Sequence, residues 1–360
     1  YQKDKGLYEF GLSMIIHPPE SHSFIKNKNG LLFKLKYSVL RFLSFWPTLG
    51  KAKAYTNSLY SPFDVRNHKA FKEADIIHIH WVSKFVNLKT VFKVKEKVFF
   101  ITMHDMYLTT GLNHYNTGYN YNQYKNIQAK RSLILKKALL QSPVYPFAPS
   151  EWLTAVANES KLYKHEVLTI PYCINLDVFK PQPKKLKVNR KILFVAENIT
   201  DSRKGFKYLL EALTLLEDKS TELNVLGKGF DFKSEVKVNN LGFVKDESEL
   251  AKIYSDSDLF IIPSLEDNLP NTVIESLACG TPVVGFSIGG IPDMVEHKVN
   301  GYVSDEISSI GLAKGINYCL THNNAETMRN AARAKALRNY NEERIAKKYI
   351  HYYLEALTAK

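Results

Sequence analysis

Cysteine is scarce: Cys173, Cys279 and Cys319 are the only three in 360 residues. An odd, widely spaced set excludes a disulfide framework and a cysteine-paired zinc site, and it fits a reducing cytoplasm. Long apolar runs are missing too. None approaches the roughly 18 residues a membrane-spanning helix requires, and no secretory signal is expected at the start. Low-complexity sequence is confined to one patch, residues 113–124, and no internal repeat is present. What remains is 45% hydrophobic and 24% charged, enough for two ordinary globular cores.

Charge is unevenly shared. Residues 1–180 hold 25 Lys and Arg against 12 Asp and Glu, whereas residues 181–360 hold 24 of each, so the net +13 lies wholly in the first half. Such a half suits a polyanionic partner, either an anionic membrane surface or a lipid-linked diphosphate. A well-solvated lysine-rich surface is the other reading. No RNA-binding or helix-turn-helix signature accompanies the charge, so nucleic acid is not expected as a partner.

Short Val, Ile, Leu and Phe runs alternate with amphipathic stretches over residues 190–305. Strands are expected at 191–196, 222–226, 241–244, 258–263, 282–286 and 301–303, with helices at 203–216, 247–256 and from 270. That order argues an α/β domain with a doubly wound parallel sheet. Residues 60–175 repeat it less cleanly, with strands at 75–80, 98–103, 144–148 and 167–170. A Pro- and Lys-rich linker, 180–189, separates the two. The expected organisation is therefore a first domain at 1–180, a second at 190–341 and a last helix within 342–360.

The densest chemistry lies between Pro263 and Val284. An apolar strand runs into a polar turn with two acids, Glu266 and Asp267, and a helix carrying Glu275 follows until Gly280 and Pro282 stop it. This layout sets backbone N–H groups and a helix start at the carboxyl edge of a parallel sheet, where anionic ligands bind. Asp267 and Glu275 are spaced to bracket a ligand of nucleotide size. Arg203 and Lys204, with Gly205, sit at another such strand-to-helix junction, where two cations would spread over diphosphate oxygens. A first-turn surface pair is the alternative.

These motifs resemble the retaining glycosyltransferases of family 4, whose donor motif is two Glu separated by seven residues. Asp267 stands where the first Glu is expected, and the run from Glu275 to Gly280 matches the second. Arg203-Lys204-Gly205, then Gly289-Gly290-Ile291-Pro292, then Asn300-Gly301 follow in the family's order. Residues 170–175 resemble its pre-linker segment, with Cys173 in the usual Gly place. The resemblance implies a GT-B fold, in which two Rossmann-like domains face across a cleft and the last helix crosses back to the first. It also implies a nucleoside-diphosphate sugar as substrate, with a UDP- or GDP-sugar as donor and no cofactor or metal.

By the same resemblance, Lys204 matches the phosphate-binding Lys, and Arg203 is displaced from the usual Arg. Glu275 would accept from the ribose hydroxyls, a task suited to an ionised carboxylate. Asp267 is one methylene short of the expected Glu. Glu266, Asn268, Leu269, Asn271 and Thr272 complete the expected donor contacts, several through backbone N–H groups. The expected catalytic set is Arg203, Lys204, His104 and Asp267.

In the first half, His104-Asp105, then His114-Tyr115, resemble a subgroup that builds bacterial surface polysaccharides. His104 is expected to contact the donor sugar, unless it is a strand-end His held by backbone. His78 and His80 alternate along one strand and so share a face. They are read as structural or cleft-lining, because carboxylate ligands for a metal are not evident nearby. His80, Asp105, His114 and Tyr115 are placed on the acceptor side.

The loop 113–124 interleaves Tyr with Asn, which suits sugar rings or a plain surface loop equally, and single-stranded nucleic acid last. Segment 30–46 has apolar residues at helical spacing with Lys34, Lys36 and Arg41 between them, so it fits a core-facing helix or a membrane-interface helix. Nothing in residues 1–30 shows the strand, Gly-rich turn and helix that open the family's first domain. An incomplete or diverged first domain is expected, in which binding could persist while turnover fails. Two decoys are set aside. Asp256-Ser-Asp258 precedes its strand, whereas a metal motif would follow it, and Gly227-Lys-Gly229 lacks the third Gly of a dinucleotide fingerprint.

The expectation is thus a cytoplasmic glycosyltransferase, held peripherally at the inner face of the plasma membrane in one reading. It would build surface polysaccharide on a glycan or lipid-linked acceptor. A nucleotide-sugar epimerase or phosphorylase on the same fold, or an impaired sugar-nucleotide-binding module, are the alternatives.

Overall fold

A computed structural model describes residues 64–80, 86–110, 114, 133–134, 136–140, 142–183, 189–229, 237–321 and 325–359. The opening 1–30 segment, the 30–46 segment, Tyr115 and the 113–124 loop apart from His114 lie outside the described residues. The described chain forms two compact units. One runs up to Pro149 and takes Leu153–Thr169 and the residues from Tyr352 onward; the other holds Ser150–Trp152 and Ile170–His351.

The first unit contains helices α1 (Lys69–Glu73), α2 (Leu88–Val91), α3 (Tyr107–Thr110) and α4 (Glu151–Glu159), the last of which starts in the second unit's Ser150–Trp152 segment. Its parallel sheet runs in the order β1 (Ile76–Ile79), β2 (Val98–Thr102), β3 (Val144–Ala148), β4 (Leu168–Thr169). Every residue of β2, Val-Phe-Phe-Ile-Thr, is buried, which is the signature of a parallel strand covered on both faces. β4 is shorter than the 167–170 run suggested. Only Leu168 and Thr169 pair with β3.

The second unit has the sheet order β10-β9-β8-β5-β6-β7, all parallel. Its strands are β5 (Lys191–Asn198), β6 (Glu222–Lys228), β7 (Val238–Gly242), β8 (Leu259–Ile262), β9 (Val283–Phe286) and β10 (Gly301–Ser304). Successive side chains of a strand point to opposite faces, and the cores follow. Leu193, Phe260, Ile262 and Val283 enter one core, with α6 (Glu247–Asp256) and α7 (Asn271–Ala278). Ile192, Phe194, Leu259, Ile261, Val284 and Phe286 enter the other, with α5 (Phe206–Thr214). Helices α8 (Ile291–Met294), α9 (Ser309–Thr321), α10 (Ala325–Asn339) and α11 (Glu342–Thr358) complete the chain. No helix among the described residues is long and apolar enough to cross a membrane.

Two expected elements are corrected. The helix expected at 203–216 is a 3-10 turn, Ser202–Lys204, followed by α5, because Gly205 adopts a left-handed φ of 66° between them. The strand expected at 241–244 is β7, Val238–Gly242, three residues earlier. The hydrophobic run Leu241-Gly242-Phe243-Val244 misleads because Gly242, at φ 68°, ends this edge strand and leaves Phe243 exposed.

Candidate functional site

The strand order reverses between β5 and β8. From β5 the chain moves outward through β6 and β7, and from β8 it moves the other way through β9 and β10. Loops leaving the carboxyl ends of two such strands diverge and open a crevice, the place where ligands of doubly wound sheets bind. The 3-10 turn Ser202–Lys204 follows β5, and the polar turn 263–270 follows β8.

Glycines hold these loops together. A Cβ on Gly205 would stand 1.8 Å from the Pro263 carbonyl oxygen, and one on Gly289, after β9, would stand 1.8 Å from that of Asp267. Both positions also have positive φ, so only glycine fits without strain. The Leu265 N–H donates to the Arg203 carbonyl at 2.8 Å and ties the two loops by backbone.

The charged groups then meet across the switch point. Lys204 Nζ donates to Asp267 Oδ2 at 2.7 Å, and Ser264 Oγ donates to the same oxygen at 3.3 Å. Arg203 Nη1 donates to the Glu266 carbonyl at 2.8 Å and lies 3.8 Å from Asp267 Oδ2. Its Nη2 donates to Asp201 Oδ2 at 3.3 Å, while Asp201 also accepts from the Arg203 N–H at 3.0 Å. Two cations and two carboxylates thus stand together at the sheet edge. The Asp267 carboxylate lies against Lys204, and its side chain is 10% exposed.

The rest of the turn is unevenly available. Asn268 and Leu269 are buried, and Leu269 belongs to the core beside Val273 and Ile291. Glu266 and Thr272 are half-buried and Asn271 is exposed. Helix α7 buries Val273, Ile274, Leu277 and Ala278 in one stripe, leaving Glu275 at its margin, half-buried. There Glu275 Oε2 accepts from the Tyr254 hydroxyl at 2.9 Å. Burial raises the Glu275 pKa, the Tyr254 hydrogen bond opposes that, and Glu247 adds to it.

In the first unit, His80 and His104 follow adjacent strands β1 and β2, and their rings are 5.5 Å apart. The rings of His78 and His80 are 4.1 Å apart, on one face as the alternation predicts. His78 Nε2 meets Thr102 Oγ1 at 2.8 Å, and its Nδ1 bonds the Tyr353 hydroxyl. Burial lowers the pKa of His104, with Asp105 opposing. Asp105 is buried and accepts from the Tyr107 N–H at 2.8 Å and from His114 Nδ1. His114 stacks on Tyr107. Asp105 and His114 are therefore joined to each other, and Asp105 takes the N–H of Tyr107, the first residue of helix α3.

Three contributors had no signal in the sequence: Asp201, Ser264 and Tyr254. Asp201 and Ser264 read as loop residues, and Tyr254 reads as one more apolar-face residue of an amphipathic helix. Residues of both motifs set aside above also make structural contacts. Asp258 Oδ2 accepts from the Lys191 N–H at 2.8 Å and pins the start of β5. Gly227 lets β6 pass the Ala196 carbonyl, which a Cβ would approach to 2.0 Å. Among the described residues, no group of three or more His, Cys, Asp or Glu is arranged to hold a metal ion.

Residues 189–322 match the family described as glycosyl transferases group 1. An uncharacterized glycosyltransferase of Methanocaldococcus jannaschii, MJ1607, is 30% identical over 180 residues, covering 47% of this chain and 45% of that protein. The amylovoran biosynthesis glycosyltransferase AmsK of Erwinia amylovora is 28% identical over 248 residues, covering 59% and 58%. The chain spans about half the length of the curated relatives it matches. Among solved structures, HepE of Anabaena, crystallised with UDP-glucose, superposes with a TM-score of 0.61 at 16% identity, covering 78% of this chain and 79% of that one. Residues 189–322 are thus similar to the glycosyl transferases group 1 family, and the two parallel sheets are those of the GT-B fold.

Proposed function

We propose that the protein is a retaining, metal-independent glycosyltransferase that moves a sugar from a UDP- or GDP-sugar to a glycan or lipid-linked acceptor in surface-polysaccharide synthesis. The observation that carries this reading is the pairing of Lys204 with Asp267 at the switch point, one turn ahead of the helix that presents Glu275. A diphosphate in that crevice would share Lys204 with Asp267 and meet Arg203 beside it. Glu275 would take the ribose hydroxyls, with the backbone and side chains of Glu266, Asn268, Leu269, Asn271 and Thr272 nearby for the rest of the donor.

In the reaction, the bond between the anomeric carbon and the diphosphate oxygen breaks, and the acceptor oxygen bonds that carbon on the same face. The acceptor proton passes to the departing phosphate, so no covalent nucleophile is needed. Charge builds on the leaving diphosphate, where Lys204 and Arg203 are worth most. His104 is assigned to the donor sugar, and His80, Asp105 and His114 to the acceptor side. The names of AmsK and of the UDP-glucose complex of HepE support the product and donor classes. The positive excess of residues 1–180 supports an anionic acceptor at the cytoplasmic membrane face.

The test pairs two variants with a thermal-shift screen of UDP- and GDP-sugars. Glu275→Ala weakens nucleotide binding at least about tenfold. Lys204→Ala lowers turnover by about a hundredfold, with donor affinity changed far less. Near-wild-type kinetics in both variants would remove the reading.

A further inference from the structure

Helix α6 precedes β8 and takes no part in the two loops at the switch point, yet it delivers a hydroxyl to the carboxylate assigned to ribose. Tyr254 is fully buried, packed edge-on against Phe260 with ring centroids 5.6 Å apart, inside the core formed by α6, α7 and β8. Its main-chain carbonyl is held as well, accepting from Thr281 Oγ1 at 2.6 Å. A ring clamped this way has no freedom to turn, so its hydroxyl occupies one place. A buried phenol needs an acceptor, and Glu275 Oε2 at 2.9 Å supplies it.

From this we infer that Tyr254 is a positioning residue for nucleotide recognition: it fixes the rotamer of Glu275 so that the carboxylate meets the ribose diol in one orientation. This rests on the reading of Glu275 given above. An ionised carboxylate has about four lone-pair directions. Tyr254 uses one, on the core side, which leaves Oε1 and the second lone pair of Oε2 for two hydroxyls of a ligand. Without the phenol, a glutamate at the helix margin samples several rotamers, and the cost of ordering it falls on binding.

The experiment measures the affinity of the full chain for UDP and GDP, and for the 2′,3′-dideoxy form of whichever binds more tightly. Wild type is expected to prefer the ribose form. Tyr254→Phe should cut that preference at least threefold while leaving dideoxy affinity within a factor of two and turnover at saturating donor unchanged. Equal weakening for both ligands, or no change for either, overturns the inference. Glu275→Asp, which keeps Tyr254 and withdraws the carboxylate by one methylene, should also lose the preference. Its retention there overturns the inference even if Tyr254→Phe does not fold. Glu275→Ala separates the two levels: a preference that survives it, or a wild type that binds neither nucleotide, removes the ribose-binding role of Glu275 itself.

Discussion

Lys204 and Asp267, separated by 63 residues in sequence, form a 2.7 Å ion pair across the point where the second sheet reverses its strand order. Arg203, paired with Asp201 on its other side, stands 3.8 Å from the same carboxylate oxygen, so Asp267 faces both cations. Asp267→Ala leaves both partly shielded cations without it. Removing one partner of a fully buried pair costs roughly 3–5 kcal/mol. With Lys204 24% exposed and Asp201 still beside Arg203, about 2 kcal/mol is expected. Urea denaturation checks it, and Asp267→Glu should recover less than half of the loss because the longer chain must refit against Lys204 and Ser264.

Gly289→Ala is expected to destabilise the protein by roughly 2–4 kcal/mol. Its Cβ would lie 1.8 Å from the Asp267 carbonyl oxygen, at a φ of 51° that alanine rarely adopts. Thermal melting reports the loss. Gly242→Ala is the control: it also has positive φ but no atom within 4 Å of the new carbon, so its loss should be the smaller of the two.

His78 is predicted to make the first unit acid-sensitive. Burial holds its pKa well below the ordinary histidine value, and His80 and His104 push the same way. A histidine depressed in the folded state binds fewer protons there than in the unfolded chain. Its contribution is therefore present above the ordinary value of about 6.5 and is lost as pH falls below it. Unfolding free energy measured between pH 7.5 and 5.5 should drop in wild type and drop less in His78→Gln. Tyr353→Phe, which removes the hydroxyl bonded to His78, should cost about 1 kcal/mol at neutral pH.

Glu222 gives the opposite window. Lys237 at 2.7 Å and Asn189 at 2.9 Å bond its carboxylate and bring its pKa down to about 2. A depressed carboxylate contributes stability above its ordinary value of 4.5 and loses it as pH falls toward 2. Acid denaturation followed by circular dichroism should show a shallower decline in Glu222→Gln. High salt should shrink the difference, since the Lys237 side chain is 66% exposed.

Much of this architecture was legible residue by residue. Strand β3 and helix α6 match their sequence-based boundaries, because an apolar strand bounded by turn residues, or an amphipathic stripe with Asp246 capping the Glu249 N–H, is a local signal. The break at Gly205 carries no local signal, since glycine is required there by the Pro263 carbonyl pressed against it, 58 positions away. Cys279 and Cys319 are buried with raised thiol pKa values, as small apolar residues of a core are.

Residue types and their spacing were enough to establish two α/β sheets and to locate the polar turn, its cations and Glu275, since periodicity and turn chemistry act over a few residues. The partners were decided by the tertiary structure: that Asp267 meets Lys204, that Glu275 is held by Tyr254, and that His78 reaches Tyr353. Which side chains meet depends on strand order and on how tightly glycine lets two loops approach. Both are set only when distant segments pack, and a linear pattern carries neither.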